Sequence, residues 1–405
     1  MSPESHVGVG IHLAIDASNI RQGGGVTHLS QMLAAADPQA AGISQVTVWA
    51  PRSTVAQLPA RPWLTTTSPS WVEAGLARRL LGQQMLLSRE LLRRGCHVLF
   101  SPGGTIPARP GVPVVTMSQN LLPFEPIEAA RFGRWSLMRF KMWLLRRAQG
   151  RSFRNADGVI FLTQYAQETV CRWIGGLDGR STRIPHGIER RFLLTPRRQR
   201  PAGNLSLPEP FTVLYVSILM PYKHQIEVAQ AVSDLRQEGV AIRAKFLGSD
   251  WGRYGSEFRD TVRQLDPAGE YLFWPGGAPY EDLHQEYGSA DAFVFASSCE
   301  NLPNILIEAM AAGLPIACSD RGPMPEVLGD AGVYFDPDRS ASIAQALRQL
   351  VDNVALREQM AASAWRRSQD YSWEQCARET FAYIGAIAMQ GRKARAGAEM
   401  GKHVR

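Results

Sequence analysis

The chain has 405 residues, 45% of them hydrophobic and 20% charged, with a formal net charge of +7. That composition belongs to a globular protein long enough for two or three domains and excludes a disordered or fibrous chain. Its cysteines (Cys96, Cys171, Cys299, Cys318, Cys376) are odd in number and form no C-x-x-C pair, which argues against a disulfide framework or a zinc site and fits a reducing cytosol. No run approaches the ~18 consecutive apolar residues of a membrane span, and the start lacks the basic-then-apolar order of a signal peptide. A cytoplasmic protein, soluble or peripheral on the inner face of the cell membrane, is expected.

Apolar runs of strand length alternate with amphipathic runs of helix length, the pattern of α/β domains built on parallel sheets. Residues 11–17 read as the first strand, 18–25 as its exit loop and 26–35 as the start of a helix. Gly23, Gly24 and Gly25 sit in that loop, where the missing Cβ lets the backbone approach a phosphate or sugar. They lack the G-x-G-x-x-G spacing and following acid of a dinucleotide site, which counts against an oxidoreductase. Further strands are expected at residues 46–49, 98–100, 114–117, 158–161 and 182–184. Residues 76–200 carry roughly three basic side chains for each acidic one, including Arg78, Arg79, Arg93, Arg94, Arg134, Arg139, Arg146, Arg147, Arg151 and Arg154. These interleave with Leu, Met and Trp, and residues 131–153 could form one basic amphipathic helix. The pattern suits an anionic membrane surface or a packed face better than nucleic acid, for which no module is recognisable.

Residues 199–210, rich in Pro, Gly and polar side chains, read as a linker. The alternation restarts at residues 212–216 and continues at 243–247, 271–274, 292–295, 315–317 and 333–335. Two doubly wound halves joined by one linker would put a cleft between facing C-terminal strand edges. A last helix is expected over residues 373–389, with a basic, disordered tail beyond it.

The densest chemistry lies in residues 297–315, Ser-Ser-Cys-Glu-Asn-Leu-Pro-Asn-Ile-Leu-Ile-Glu-Ala-Met-Ala-Ala-Gly-Leu-Pro. An apolar strand leads into a polar turn that holds Glu300. Pro303 then opens a helix at its first position, where the missing N–H costs nothing, and Gly313 with Pro315 closes it. Free amides at Asn304 and Ile305, with the helix dipole, make an anion site. Glu300 before the helix and Glu308 on its first turns are acceptors for sugar hydroxyls, so the layout suits a nucleotide diphosphate sugar. Taken alone, the two carboxylates read rather as solvated acids flanking a helix.

This segment resembles the E-x7-E signature of retaining glycosyltransferases of family 4 (glycosyl transferases group 1). Residues 319–337, with Pro325-Glu326, Gly329-Asp330-Ala331-Gly332 and Pro337, are similar to the stretch that follows the signature in that family. The resemblance is strong over residues 205–385 and weaker before them. It implies the GT-B fold, an α/β architecture of two doubly wound Rossmann-like domains facing across a cleft. Residues 1–198 would bind the acceptor, 211–372 the nucleotide sugar, and the helix over 373–389 would cross back to the N-terminal domain.

The resemblance also implies roles for single residues. Lys223 would neutralise the donor diphosphate and act with Glu300 as the catalytic pair, Glu300 holding the donor sugar's hydroxyls. Glu308 would accept from the ribose, and Ser217, Gly248, Asn301, Leu302, Asn304 and Ile305 would complete the donor site. Ser217 and Ile218 stand where the family has Gly and Arg, leaving Ser217, Arg321 or helix-end amides as substitutes for the arginine. Gly23, Gly24, Gly25, Gln119 and Asn120 would border the acceptor. Gln119 occupies a position where many members carry His, and an amide cannot act as a general base. His186 replaces the Asn of a family turn, and the D-x-D spelling of Asp336 and Asp338 is read as a coincidental turn, so neither metal nor cofactor is expected. The implied reaction moves a hexose from a GDP- or UDP-linked donor to a glycan or polyprenyl-linked acceptor in bacterial surface polysaccharide synthesis. An inactive sugar-nucleotide-binding protein shares every one of these motifs, and an oxidoreductase shares the alternation.

Overall fold

The computed structural model describes residues 10–133, 136–250 and 252–403, with side chains through Lys393. Two compact units divide the chain: unit 1 takes residues up to Gln119, Leu144–Gly187 and Trp373 onward, and unit 2 takes Asn120–Trp143 and Ile188–Ser372.

Unit 1 is built on a parallel sheet of β1 (Ile11–Asp16), β2 (Ile43–Trp49), β3 (Leu64–Thr67), β4 (Val98–Ser101), β5 (Val114–Met117), β6 (Gly158–Phe161) and β7 (Ser181–Arg183). Their spatial order is β3-β2-β1-β4-β5-β6-β7. Unit 2 holds the parallel sheet β10-β9-β8-β11-β12-β13, from β8 (Phe211–Val216), β9 (Ile242–Leu247), β10 (Leu272–Phe273), β11 (Ala292–Phe295), β12 (Ile316–Ser319) and β13 (Val333–Phe335). Strands β1, β4, β5, β6, β11 and β12 are buried at every position, which is why they read as predominantly apolar runs, broken only by residues such as His12, Asp16 and Thr116. In each unit the winding reverses beside the first strand, between β1 and β4 and between β8 and β11. The strand loops part at such a switch point, and ligands of doubly wound sheets bind there.

Several strand ends lie one to three residues from expectation, among them β2, β10 and β12, and other departures are larger. Strand β3, Leu-Thr-Thr-Thr at a sheet edge, is half-exposed and carries no apolar run that would have announced it. Strand β7 covers residues 181–183, one residue earlier than the expected 182–184. The basic helix expected over residues 131–153 is broken: a short helix Pro126–Ala130 ends before Gly133, whose φ of 102° no helix admits, and the long helix is Leu137–Asn155. Arg134 and Trp135 of that expected helix lie outside the described residues. The C-terminal helix, expected to stop near residue 389 before a disordered tail, runs Trp373–His403, because Arg392, Lys393 and the following alanines are strong helix formers.

Candidate active site

Lys223 and Glu300 come from the two loops that part at the switch point of unit 2. Lys223 ends the turn Pro221–Lys223 after β8, and Glu300 follows β11. Their side chains form a direct ion pair, with side-chain exposures of 7% and 16%. The Tyr215 hydroxyl donates to the Lys223 carbonyl at 2.5 Å and fixes the turn. The residue types alone gave no sign that these two would contact one another.

A second layer of polar side chains supports the pair. The Ser298 hydroxyl donates to Glu128 Oε2 at 2.5 Å and lies 3.1 Å from His224 Nε2, while the Ser298 amide donates to the Tyr222 carbonyl at 2.8 Å. The loop after β11 is thereby tied to the loop after β8 and to the helix Pro126–Ala130. Ser298 was detectable only as a neighbour of Glu300, and Glu128 carried no signal. Burial first, then the Glu300 carboxylate, pushes the Tyr222 phenol up, so it stays protonated. Cys299 is buried, and its thiol is pushed well up by burial, then by Glu300.

The helix after Glu300 is Asn304–Ala311, with Pro303 preceding it as N-cap rather than serving as its first residue. This corrects the expected pair of open amides. The Asn304 N–H donates to the Leu302 carbonyl at 3.0 Å, whereas the Ile305 N–H has no backbone acceptor among the described residues. Asn301 and Leu302 are buried in the turn before the helix.

Glu308 is not a solvated flanking acid. It is 4% exposed and accepts from the Tyr287 hydroxyl at 2.9 Å and the Tyr280 hydroxyl at 3.4 Å. Burial raises its pKa to about 7 against the pull of those hydroxyls, with Glu189 adding and Arg191 subtracting. In the unfolded chain a Glu titrates near ~4.3, so between there and about 7 the folded protein holds the extra proton. The stability contributed by protonated Glu308 is therefore fully present below ~4.3 and is lost as pH rises through about 7. Urea unfolding of Glu308→Gln should show its stability rising relative to wild type between about pH 5 and about pH 8. A difference that does not vary with pH would contradict the raised value.

Ser217 and Gly248 meet where β8 and β9 end. Gly248 has a φ of 156°, and a Cβ there would stand 1.9 Å from the Ser217 carbonyl oxygen. The backbones are clamped by Ser217 N–H to Leu247 O at 2.8 Å and Gly248 N–H to Gly276 O at 2.9 Å. Ile218, at the position of the family's arginine, is exposed. Arg321, the other candidate, is engaged by aspartates. Its guanidinium lies 2.8 Å from Asp336, 3.3 Å from Asp320 and 3.8 Å from Asp338, and Arg131 takes Asp338 at 2.7 Å. Asp336 and Asp338 thus serve arginines.

In unit 1, the glycine loop follows β1 and Gly23, with φ 69°, is the N-cap of the helix Gly24–Ala35. A Cβ on Gly25 would lie 3.4 Å from Gln119 Oε1, so a side chain at Gly25 would come up against the glutamine. Gln119 Nε2 donates to His28 Nδ1 at 3.1 Å. His28 stacks on His186 with centroids 4.3 Å apart, and both lie against the Trp373 ring. Burial, then His186, holds the His28 pKa well below the usual range, so its Nδ1 is an acceptor for the amide. His28 was missed although it lies four residues after Gly24 on the same helix face. His186 packs in this stack, and Asn120 is exposed, its Oδ1 accepting from the Leu122 N–H at 3.2 Å.

Two family profiles match in succession: Glycosyltransferase Family 4 over residues 22–192 and Glycosyl transferases group 1 over residues 197–367. O-antigen chain mannosyltransferase B of Escherichia coli is 31% identical over 170 residues, 41% of this chain and 44% of that protein, so the match spans less than half of this relative. Among solved structures, sucrose-phosphate synthase from Thermosynechococcus elongatus superposes with a TM-score of 0.68 at 19% identity, over 96% of this chain and 100% of its own. Anabaena HepE in complex with UDP and glucose gives 0.65 at 17% identity, over 95% and 99%. Two doubly wound parallel sheets and two adjoining profiles agree: the chain belongs to the group 1, family 4 glycosyltransferases and has the GT-B fold.

Proposed function

We propose that this protein transfers a hexose, with retention of anomeric configuration, from a GDP- or UDP-linked donor to a glycan or polyprenyl-linked acceptor in bacterial surface polysaccharide synthesis. The observation that carries this reading is the Lys223–Glu300 pair at the mouth of the unit 2 switch point. The mannosyltransferase likeness and the UDP and glucose held by the Anabaena neighbour support donor and pathway.

The anomeric carbon passes through an oxocarbenium-like state as its bond to the diphosphate oxygen breaks. Lys223 and the Ile305 amide meet the charge growing on the departing diphosphate, and Glu300 holds the donor sugar's hydroxyls. The acceptor oxygen forms the new bond, and its proton goes to a leaving phosphate oxygen. No side-chain base is needed at Gln119, which positions acceptor hydroxyls through its amide oxygen, its nitrogen being held by His28 and Met117. Glu308 receives ribose hydroxyls through the oxygen loosely held by Tyr280.

Thermal shift with UDP- and GDP-hexoses tests the donor, since a ligand of the folded state raises the melting temperature by mass action. One nucleotide series should stabilise the protein and be turned over in EDTA, because a lysine and a helix end meet the diphosphate charge. Activity lost in EDTA and restored by magnesium or manganese would contradict this site. No shift with any nucleotide would remove the donor reading.

Reversible docking on an anionic membrane is part of the proposal. No helix among the described residues is long and apolar enough to cross a bilayer. Surface attachment is favoured by exposed Leu76, Leu81, Met85 and Leu92 among Arg78, Arg79, Arg93 and Arg94, and by exposed Leu137, Phe140 and Leu144 among Arg139, Lys141, Arg146 and Arg147. Each basic side chain near an anionic surface contributes ~1 kcal/mol. Vesicle co-sedimentation should require anionic lipid, fall in high salt and weaken when Arg139, Lys141, Arg146 and Arg147 are neutralised. Equal partitioning onto neutral vesicles, or none at all, would leave the acceptor without a lipid requirement.

A further inference from the structure

Unit 2 has a groove of about 690 Å³ that the donor site does not use. The volume falls within the ~300–1,000 Å³ of small-molecule sites. Its walls come from the N-terminal ends of the helices Gln225–Gln237 and Gly252–Leu265 and from Arg131, Phe132, Gly133 and Met138. The residues that matter are Phe132, Pro221, Glu227, Arg253, Tyr254 and Glu257.

We propose that this groove is a carbohydrate subsite that holds a pyranose unit of the acceptor glycan beside the catalytic pair. The proposal rests on the glycosyltransferase reading. Position is the first ground: Pro221 lines the groove and opens the turn whose last residue, Lys223, pairs with Glu300. The Phe132 ring lies 6.2 Å from that of Tyr222 in the same turn.

Chemistry is the second ground. Phe132 and Tyr254 offer aromatic surface to the C–H face of a sugar. Arg253 and Glu257 form no ion pair among the described residues and stand one turn apart on an exposed helix face. Glu227 stands beside them on the neighbouring helix, its side chain about a third exposed at the groove and its Oε2 3.7 Å from His224 Nδ1. A donor and acceptors lining one open groove are what vicinal hydroxyls need.

Charge decides against an anionic ligand. Arg131 on the rim is already bound to Glu128 and Asp338, each at 2.7 Å, which leaves Arg253 facing the carboxylates of Glu227 and Glu257. A phosphate or nucleotide would meet net negative charge there, despite the two helix N-termini. A neutral polyhydroxyl ligand meets no such penalty.

The test is saturation-transfer NMR on the full chain with a panel of short gluco-, galacto- and manno-oligosaccharides, with calorimetry of UDP and GDP in parallel. At least one oligosaccharide should bind, and UDP or GDP should not displace it. The double substitution Arg253→Ala/Glu257→Ala should weaken that binding at least ~10-fold, the loss of one or two charge-assisted hydrogen bonds. Nucleotide affinity, which also reports that the variant has folded, should stay within about twofold. No saccharide bound by wild type, or binding indifferent to the double substitution, overturns the subsite. Displacement by nucleotide, or nucleotide affinity lost in the variant, overturns it by giving the groove to the donor. Wild type that binds neither nucleotide fails the donor reading instead, separately from the saccharide result.

Discussion

Glu300→Gln should lower hexose transfer ~10- to 100-fold, while the variant still binds UDP or GDP. The lost charge-assisted hydrogen bond to a donor hydroxyl corresponds to ~1.5–3 kcal/mol, which is that range in rate. The ion pair adds a stability effect that the residue type alone did not announce. Lys223 is left nearly buried with a neutral partner. Removing one member of a buried pair costs ~3–5 kcal/mol, and less here because Gln still accepts a hydrogen bond and the pair has an open edge. The variant should therefore melt below wild type yet gain more from added nucleotide, whose diphosphate supplies the missing counter-charge. Lys223→Met should lose nucleotide affinity, and the double variant should be more stable than the sum of the two losses, as coupled neighbours are. Transfer within threefold of wild type in Glu300→Gln would sink the assignment of Glu300. Unchanged nucleotide affinity in Lys223→Met would move the phosphate role elsewhere, and Arg321 is a poor replacement because three aspartates already surround it.

Legibility followed burial. Strands β1, β4, β5, β11 and β12 are mostly apolar because both faces are covered, so they were readable, whereas β3 is held by edge pairing with β2 and shows only a leucine and three threonines. The glycine at 133 stopped a helix that the amphipathic pattern carried straight through, since backbone geometry outweighs periodicity at a positive φ. Single positions in the site were legible where they lie close in sequence, as with Glu300, Asn304 and Glu308. Contacts between distant segments were not. Lys223 to Glu300 spans 77 residues, Glu128 to Ser298 spans 170, and Gln119 to His28 spans 91. Each depends on which strands become neighbours at the switch point. The state of Glu308 was hidden for the same reason, because Tyr287 and Tyr280 reach it from another segment.

Gly248→Ala should be the most destabilising single-methyl change at the donor site. The added carbon would stand 1.9 Å from the Ser217 carbonyl oxygen, 2.5 Å from its carbonyl carbon and 3.0 Å from the Ile218 nitrogen. All three are backbone atoms at the exit of β8, so no side chain can turn aside, and the ends of β8 and β9 must separate. Separation would break the Ser217 N–H bond to Leu247 and the Gly248 bonds to Gly276 and to the Trp274 indole, which donates to the Gly248 carbonyl at 2.9 Å. The φ of 156° adds the strain of a conformation open almost solely to glycine, ~1–3 kcal/mol. Gly276→Ala is the matched control. Gly276 also has a positive φ, 95°, but nothing lies within 4 Å of its Cβ position, so only the conformational cost applies. The melting temperature should fall several degrees further for Gly248→Ala than for Gly276→Ala, and nucleotide affinity should fall with it because Ser217 moves. Equal melting temperatures would show that the β8 and β9 loops yield freely, and the donor site could not then depend on their close approach.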